Sequence, residues 1–144
     1  MHSSNYITWN KSLSIGNTQV DNDHKKLINI YKDLVDLVEV DGSRENFAII
    51  LSKMTDYCLH HFEKEEKYML QFNYPNYEEH KRKHEEYSYK VAMLNIELLG
   101  KVPPDPKEIA LFIAEWWEKH ILNCDIHYEK FKKEINSEAQ YNSF

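Results

Sequence analysis

The stretch RENFAIILSKMTDYCLHHFEKEEKYMLQ, residues 44–71, contains neither glycine nor proline. Within it Phe47, Ile50, Leu51, Met54, Tyr57, Cys58, His61, Glu65 and Tyr68 recur at steps of three and four. That spacing draws one face of an α-helix, and no period-two alternation competes with it. The same face carries His61 and Glu65, an imidazole and a carboxylate where a core stripe should be apolar. An unbroken helix with polar groups on its inward side is the pattern that decides the rest of the reading.

Outward from this stretch the chain repeats the pattern. Its 144 residues include only 3 Gly and 4 Pro, and the breaks fall at Gly16, Gly42, Pro75 and the run from Gly100 to Pro106. Four helices are expected, at about 18–40, 44–71, 76–99 and 106–136. Each opens on a capping signal: Thr18 with Asp21, Ser43 with Glu45, Asn76 with Glu79, and Asp105 before Pro106 and Glu108. The first helix aligns His24, Leu27, Ile28, Tyr31, Leu34, Val35 and Val38. The third aligns Tyr77, His80, His84, Tyr87, Val91, Leu94 and Leu98. The fourth aligns Ile109, Phe112, Ile113, Trp116, His120, Cys124, Tyr128, Phe131 and Ile135. Short connections make neighbours antiparallel, so the expected fold is an all-α, up-down-up-down four-helix bundle. One domain spans 1–144: an extended N-terminal arm (1–16) with Trp9 and Leu13 packed on the bundle, the bundle itself (18–136), and a frayed polar tail (137–144).

Composition narrows the function. The net charge of −6, from 18 Lys+Arg against 24 Asp+Glu, lacks the basic footprint of a nucleic-acid binder. No apolar run is long enough to span a membrane. The opening MHSSNYITWN has no charged and apolar leader pattern, so a cytoplasmic location is expected. Cys58 and Cys124 are expected as buried thiols rather than a disulfide.

The polar residues on the stripes form sets: His24 alone, His61 with Glu65, His80 with His84, and His120 with Asp125. Residues four apart share a helix face, so the second and third sets each converge on one point. The five-residue step from His120 to Asp125 turns about 140° on a regular helix, so this pair meets only if the aspartate reaches sideways. In an antiparallel bundle all four sets lie at similar heights. A buried ion costs several kcal/mol unless it is paired or coordinated, and a whole domain is stable by only about 5–15 kcal/mol. Seven such groups in one core call for a polynuclear metal centre. His60, about 100° round the helix from His61, is expected at the rim, and His127 and His2 at the surface.

Five imidazoles and two carboxylates exceed the four donors of a zinc ion and include no thiolate. Calcium and magnesium prefer oxygen. Two octahedral ions offer twelve positions. The seven side chains, with both carboxylates bridging, fill nine, and a bridging solvent oxygen fills two. One position stays open, which suits iron that binds a small molecule. No histidine is preceded three residues earlier by glutamate, so the Glu-x-x-His pattern of ferritin-like carboxylate centres is missing, as is His-Glu-x-x-His.

The sequence resembles the hemerythrin family, in particular its single-domain bacterial members. The resemblance rests on Trp9, Val20-Asp21-Asn22-Asp23-His24, His61-Phe62-Glu63-Lys64-Glu65-Glu66 with Met69, Tyr74-Pro75, His80-Lys81-Arg82-Lys83-His84, and Trp116-Trp117-Glu118-Lys119-His120-Ile121 followed by Asp125 and Tyr128. It implies two iron ions with an oxo or hydroxo bridge. His80, His84 and His120 would complete one iron, His24 and His61 the other with its open position, and Glu65 and Asp125 would bridge them. Dioxygen would bind reversibly at the open iron, and small anions such as azide could take the same place. By the same analogy Leu27, Phe62, Trp116, Trp117 and Ile121 would line a dry oxygen pocket. Many family members carry leucine where Trp117 stands, and the larger ring is expected to slow anion entry. The resulting expectation is a non-enzymatic oxygen carrier, storage or delivery protein. The alternatives are an oxygen or redox sensing module and a scavenger of nitric oxide or peroxide at the same centre. No protein partner is indicated.

Overall fold

In the computed structural model, which describes residues 6–142 with side chains as far as Glu138, each helix starts where the chain supplies an acceptor for its first free N–H groups. Helix α1 (Thr18–Glu39) is capped by Asn17, whose Oδ1 accepts from Val20 N–H at 3.1 Å. Helix α2 (Arg44–Gln71) is capped by Ser43, whose Oγ accepts from Asn46 N–H at 3.1 Å. Helix α3 (Tyr77–Leu98) follows the Pro75 turn. The fourth helix begins on Asp105 with Pro106 in its first turn, and it has three parts: α4 (Pro106–His120), a π turn (Ile121–Asp125) and α5 (Ile126–Asn142). The four pack as a bundle, α1 against α2 and α4, and α2 against α3. Among the described residues there is no strand.

Three local expectations are corrected. The first helix is capped by Asn17 rather than by a Thr18–Asp21 box, because the Asp21 carboxylate is engaged by the arm: it accepts from Ser14 Oγ at 2.5 Å and from Ile15 N–H at 3.0 Å. Asn76 makes no side-chain cap bond. The last helix does not end at 136 but continues to Asn142, since no glycine or proline interrupts it; Asn136, Ser137 and Glu138 are exposed helical surface. His2 and residues 143–144 of the expected tail lie outside the described residues.

The arm packs as its sequence indicates, with Ile7, Leu13 and Ile15 buried and Trp9 half-buried against the core. It enters α1 through Gly16, whose φ of +81° lies in the left-handed region that a side chain disfavours.

Along its length the bundle changes character. One end is dry: Leu34, Leu51, Leu98, Ile109 and Ile113 are fully buried there, each such side chain contributing about 1.5–3 kcal/mol by leaving water. Nearby, Tyr31 donates its hydroxyl to the Ala110 carbonyl at 2.7 Å and ties α1 to α4. The other end gathers the start of α1, the end of α2, the start of α3 and the π turn. Trp117, rather than the half-buried Trp116, occupies the centre of the fourth helix's inward face there, lying four residues after Ile113 and three before His120.

Candidate metal centre

Each inward polar group is placed by helical spacing. His24 lies in the second turn of α1, His61 and Glu65 share one face near the end of α2, and His80 and His84 share one face at the start of α3. His120 and Asp125 are brought to the same side by the π turn between them. The Ile126 N–H reaches back five residues to the Ile121 carbonyl, so side chains five apart come nearly into line instead of diverging. All seven residues are buried, with at most 4% of any of them exposed.

The two carboxylates stand between two groups of imidazoles. Glu65 Oε1 lies 2.9 Å from His80 Nε2 and 3.0 Å from His84 Nε2, whereas its Oε2 lies 3.2 Å from His61 Nε2. Asp125 Oδ1 lies 3.0 Å from His80 Nε2 and 3.1 Å from His120 Nε2, whereas its Oδ2 lies 3.2 Å from His24 Nε2. Each carboxylate therefore turns one oxygen to His80, His84 and His120 and the other to His24 and His61. Two overlapping donor sets result: Glu65, His80, His84, His120 and Asp125, and His24, His61, Glu65 and Asp125. Within each, the ligand atoms lie within 4.8 Å of one another.

These donors fit metal ions better than they satisfy each other. His24 Nδ1 and Nε2, His61 Nε2 and both Asp125 oxygens are buried without a hydrogen bond, close in distance to neighbours but poorly aligned. His84 Nε2 and His120 Nε2 face each other at 3.1 Å. Leaving such atoms unsatisfied costs about 1–3 kcal/mol each, which coordination removes.

The electrostatics follow from this crowding. Burial pulls the His61 imidazole down, but Asp23 and Glu65 outweigh it and hold its pKa up at about 9. Burial likewise opposes Asp125 and Glu65 at His80, which also stands at about 9. Burial works against the charged carboxylates too, yet the surrounding histidines hold Glu65 and Asp125 well below the usual carboxylate range. The raised imidazoles of His61, His80 and His120 thus stand against the two depressed carboxylates.

A family model described as the hemerythrin HHE cation binding domain matches residues 16–128, which include all seven residues of this cluster. The chain belongs to the hemerythrin family. Among curated relatives, a bacteriohemerythrin of Clostridium acetobutylicum is 28% identical over 126 residues, covering 85% of this chain and 98% of its own. A bacteriohemerythrin of Stenotrophomonas maltophilia is 26% identical over 136 residues, covering 93% and 87%. A hemerythrin-like protein of Naegleria gruberi is 27% identical over 123 residues, covering 85% and 91%. The fold superposes on a wild-type hemerythrin crystal structure with a TM-score of 0.78 at 24% identity, covering 85% of this chain and 94% of that one.

The aromatic residues named for the hemerythrin oxygen pocket divide between the two groups. Trp117 is fully buried, with ring centroids 5.9 Å from His24 and 6.1 Å from His61. Phe62 stacks on His84 at 3.9 Å and Trp116 stacks on His120 at 4.4 Å, so both cover the three-histidine group. Leu27 and Ile121 are fully buried. His60 and His127 are exposed. Cys58 is buried, and Cys124 is half-buried with Lys83 Nζ 3.5 Å from its sulfur; neither forms a disulfide.

Partners that spacing does not announce complete this hemerythrin centre. His61 Nδ1 lies 3.3 Å from Asp23 Oδ2, and His84 Nδ1 lies 2.8 Å from Glu66 Oε2. Carboxylates at Nδ1 orient the ring and present Nε2 inward. Tyr128 donates to Glu65 Oε2 at 3.1 Å. Asp23 and Glu66 sit next to His24 and Glu65 in sequence, a signal that these half-buried acids are near the centre but not which ring each one holds.

Proposed function

We propose that this hemerythrin binds dioxygen reversibly at a non-haem di-iron centre and serves as an oxygen carrier, storage or delivery protein. The observation that supports this most is the division of the carboxylate oxygens between a three-histidine and a two-histidine group. In it His80, His84 and His120 would hold one iron, His24 and His61 the other, with Glu65 and Asp125 between them and an oxo or hydroxo group as a further bridge. A ferrous pair supplies two electrons and an open position to dioxygen. The chain supplies the inequality: five donor residues would surround the first iron if its two carboxylates and three rings all engage, whereas the second has four, one ring fewer. Trp117 and Phe62 pack on the histidine rings and would keep bulk water and protons from a ligand held there.

The test is an optical cycle. Iron-loaded, reduced protein should hold two irons per chain, gain a visible charge-transfer band under oxygen, and lose it under argon through at least several repeats. Irreversible conversion to a ferric spectrum in the first cycle, or a preference for zinc over iron, would contradict the reading.

A further inference from the structure

A cleft of about 490 Å³ opens between α1 and α2, walled by Gln19 and Asp23 on α1 and by His61, Lys64, Glu65 and Lys67 on α2. His61 and Glu65 form its floor, although they are only 4% and 3% exposed. The His24 ring, with neither nitrogen partnered, lies 5.0 Å from the His61 ring, whose Nε2 lacks a partner as well. None of Leu27, Phe62, Trp116, Trp117 and Ile121 contributes to its wall. The cleft thus meets the two-histidine group on a polar side that the aromatic cover leaves open.

We propose that this cleft is the entrance by which charged species reach the two-histidine group: small anions as ligands, and metal cations during loading. Its selectivity is set by Lys64 and Lys67. The proposal rests on the two-iron reading of the site. Lys64 Nζ holds Asp23 Oδ2 at 2.7 Å, and the same oxygen lies 3.3 Å from His61 Nδ1. The ammonium therefore offsets the Asp23 carboxylate, while the other carboxylate of the lining, Glu65, lies at the floor among the histidines. Lys67 lines the cleft one turn along α2 and, among the described residues, is tied to exposed Glu63 at 3.0 Å. Charges on the walls of a narrow cleft act through low-dielectric protein and change the arrival rate of ions, but not of neutral molecules.

Charge reversal tests this with two readouts of opposite sign. Lys64→Glu and Lys67→Glu should each slow azide association with the iron-loaded protein by roughly fivefold at low ionic strength. Each should quicken ferrous-ion uptake by the metal-free chain by a similar factor, followed anaerobically through tryptophan fluorescence. Dioxygen association should be unchanged in Lys67→Glu, and both ionic effects should fade at ~1 M salt, where screening acts within about 3 Å. Lys67→Glu guards against a folding defect, since Lys67 touches no carboxylate of the centre. Lys107→Glu, at the opposite end of the bundle, should alter neither rate. Azide and ferrous-ion rates that stay unchanged, or that move together, overturn the proposal while two bound irons per chain leave the site reading intact. A Trp117→Leu variant that speeds azide entry while both lysine reversals do nothing puts the entrance on the aromatic side and also overturns it. A parent chain that takes up no iron overturns the site reading and the cleft with it.

Discussion

On the three-histidine side, Phe62 lies flat on His84, Trp116 lies flat on His120, and Glu66 fixes the outer nitrogen of His84. On the two-histidine side, His24 has no hydrogen bond at either ring nitrogen, and His61 borders a polar cleft held by Asp23 and Lys64. The same two carboxylates serve both. Their symmetric placement gives two overlapping donor sets, and under the proposed two-iron reading the unequal surroundings would make one closed and anchoring, the other reachable and reactive.

The largest effect is expected where the halves join. Glu65→Gln removes an anion that both share and leaves the imidazoles without their counter-charge, so metal analysis should show less than one iron per chain instead of two. Next come substitutions that separate the halves. His24→Ala should leave one iron in the three-histidine group and abolish the dioxygen band, whereas His84→Ala should weaken iron retention first, as followed by chelator challenge. If both variants keep the band, the division of labour is wrong. The outer carboxylates rank below these. Asp23→Asn and Glu66→Gln should each lower iron affinity by about 10–100-fold in competition titrations, the former acting on the more weakly held iron.

Acidity gives a further contrast. In the metal-free chain His61 and His80 have pKa values raised to about 9, above the ordinary value of about 6.5. The folded state then binds more protons than the unfolded one between these values. The stability this confers is complete below about pH 6.5 and is lost as pH rises through about 9. Denaturant midpoints of the metal-free chain should fall from pH 7 to pH 10. Iron binding should show the reverse trend, strengthening with pH as protons leave the rings. The smallest effect expected is Tyr128→Phe, which removes one hydrogen bond to Glu65 and should cost about 1 kcal/mol with both irons retained.

Much of this was legible in the residues because helices of this length obey simple spacing. Scarce breakers placed the turns, and polar groups at three- and four-residue steps singled out His61, Glu65, His80 and His84. The His120–Asp125 pair was legible only as a conflict, five residues apart yet needed on one side, and the π turn that resolves it depends on backbone bonding. The Asn17 cap was hidden because Thr18 next to it suits a capping box, and only the folded arm shows Asp21 to be engaged elsewhere. Asp23 and Glu66 look like ordinary helical acids until a ring from the neighbouring helix meets each one. The helix beyond 136 is hidden by a polar composition that resembles a frayed tail, although nothing in Ser137 or Glu138 forbids a helix.

The most direct test of unequal halves is Mössbauer spectroscopy of protein loaded with iron-57 and examined under oxygen and then argon. Two quadrupole doublets of equal area should stand under oxygen, one from each environment, and the deoxygenated ferrous pattern should return under argon. A single ferric doublet that persists under argon would contradict the account.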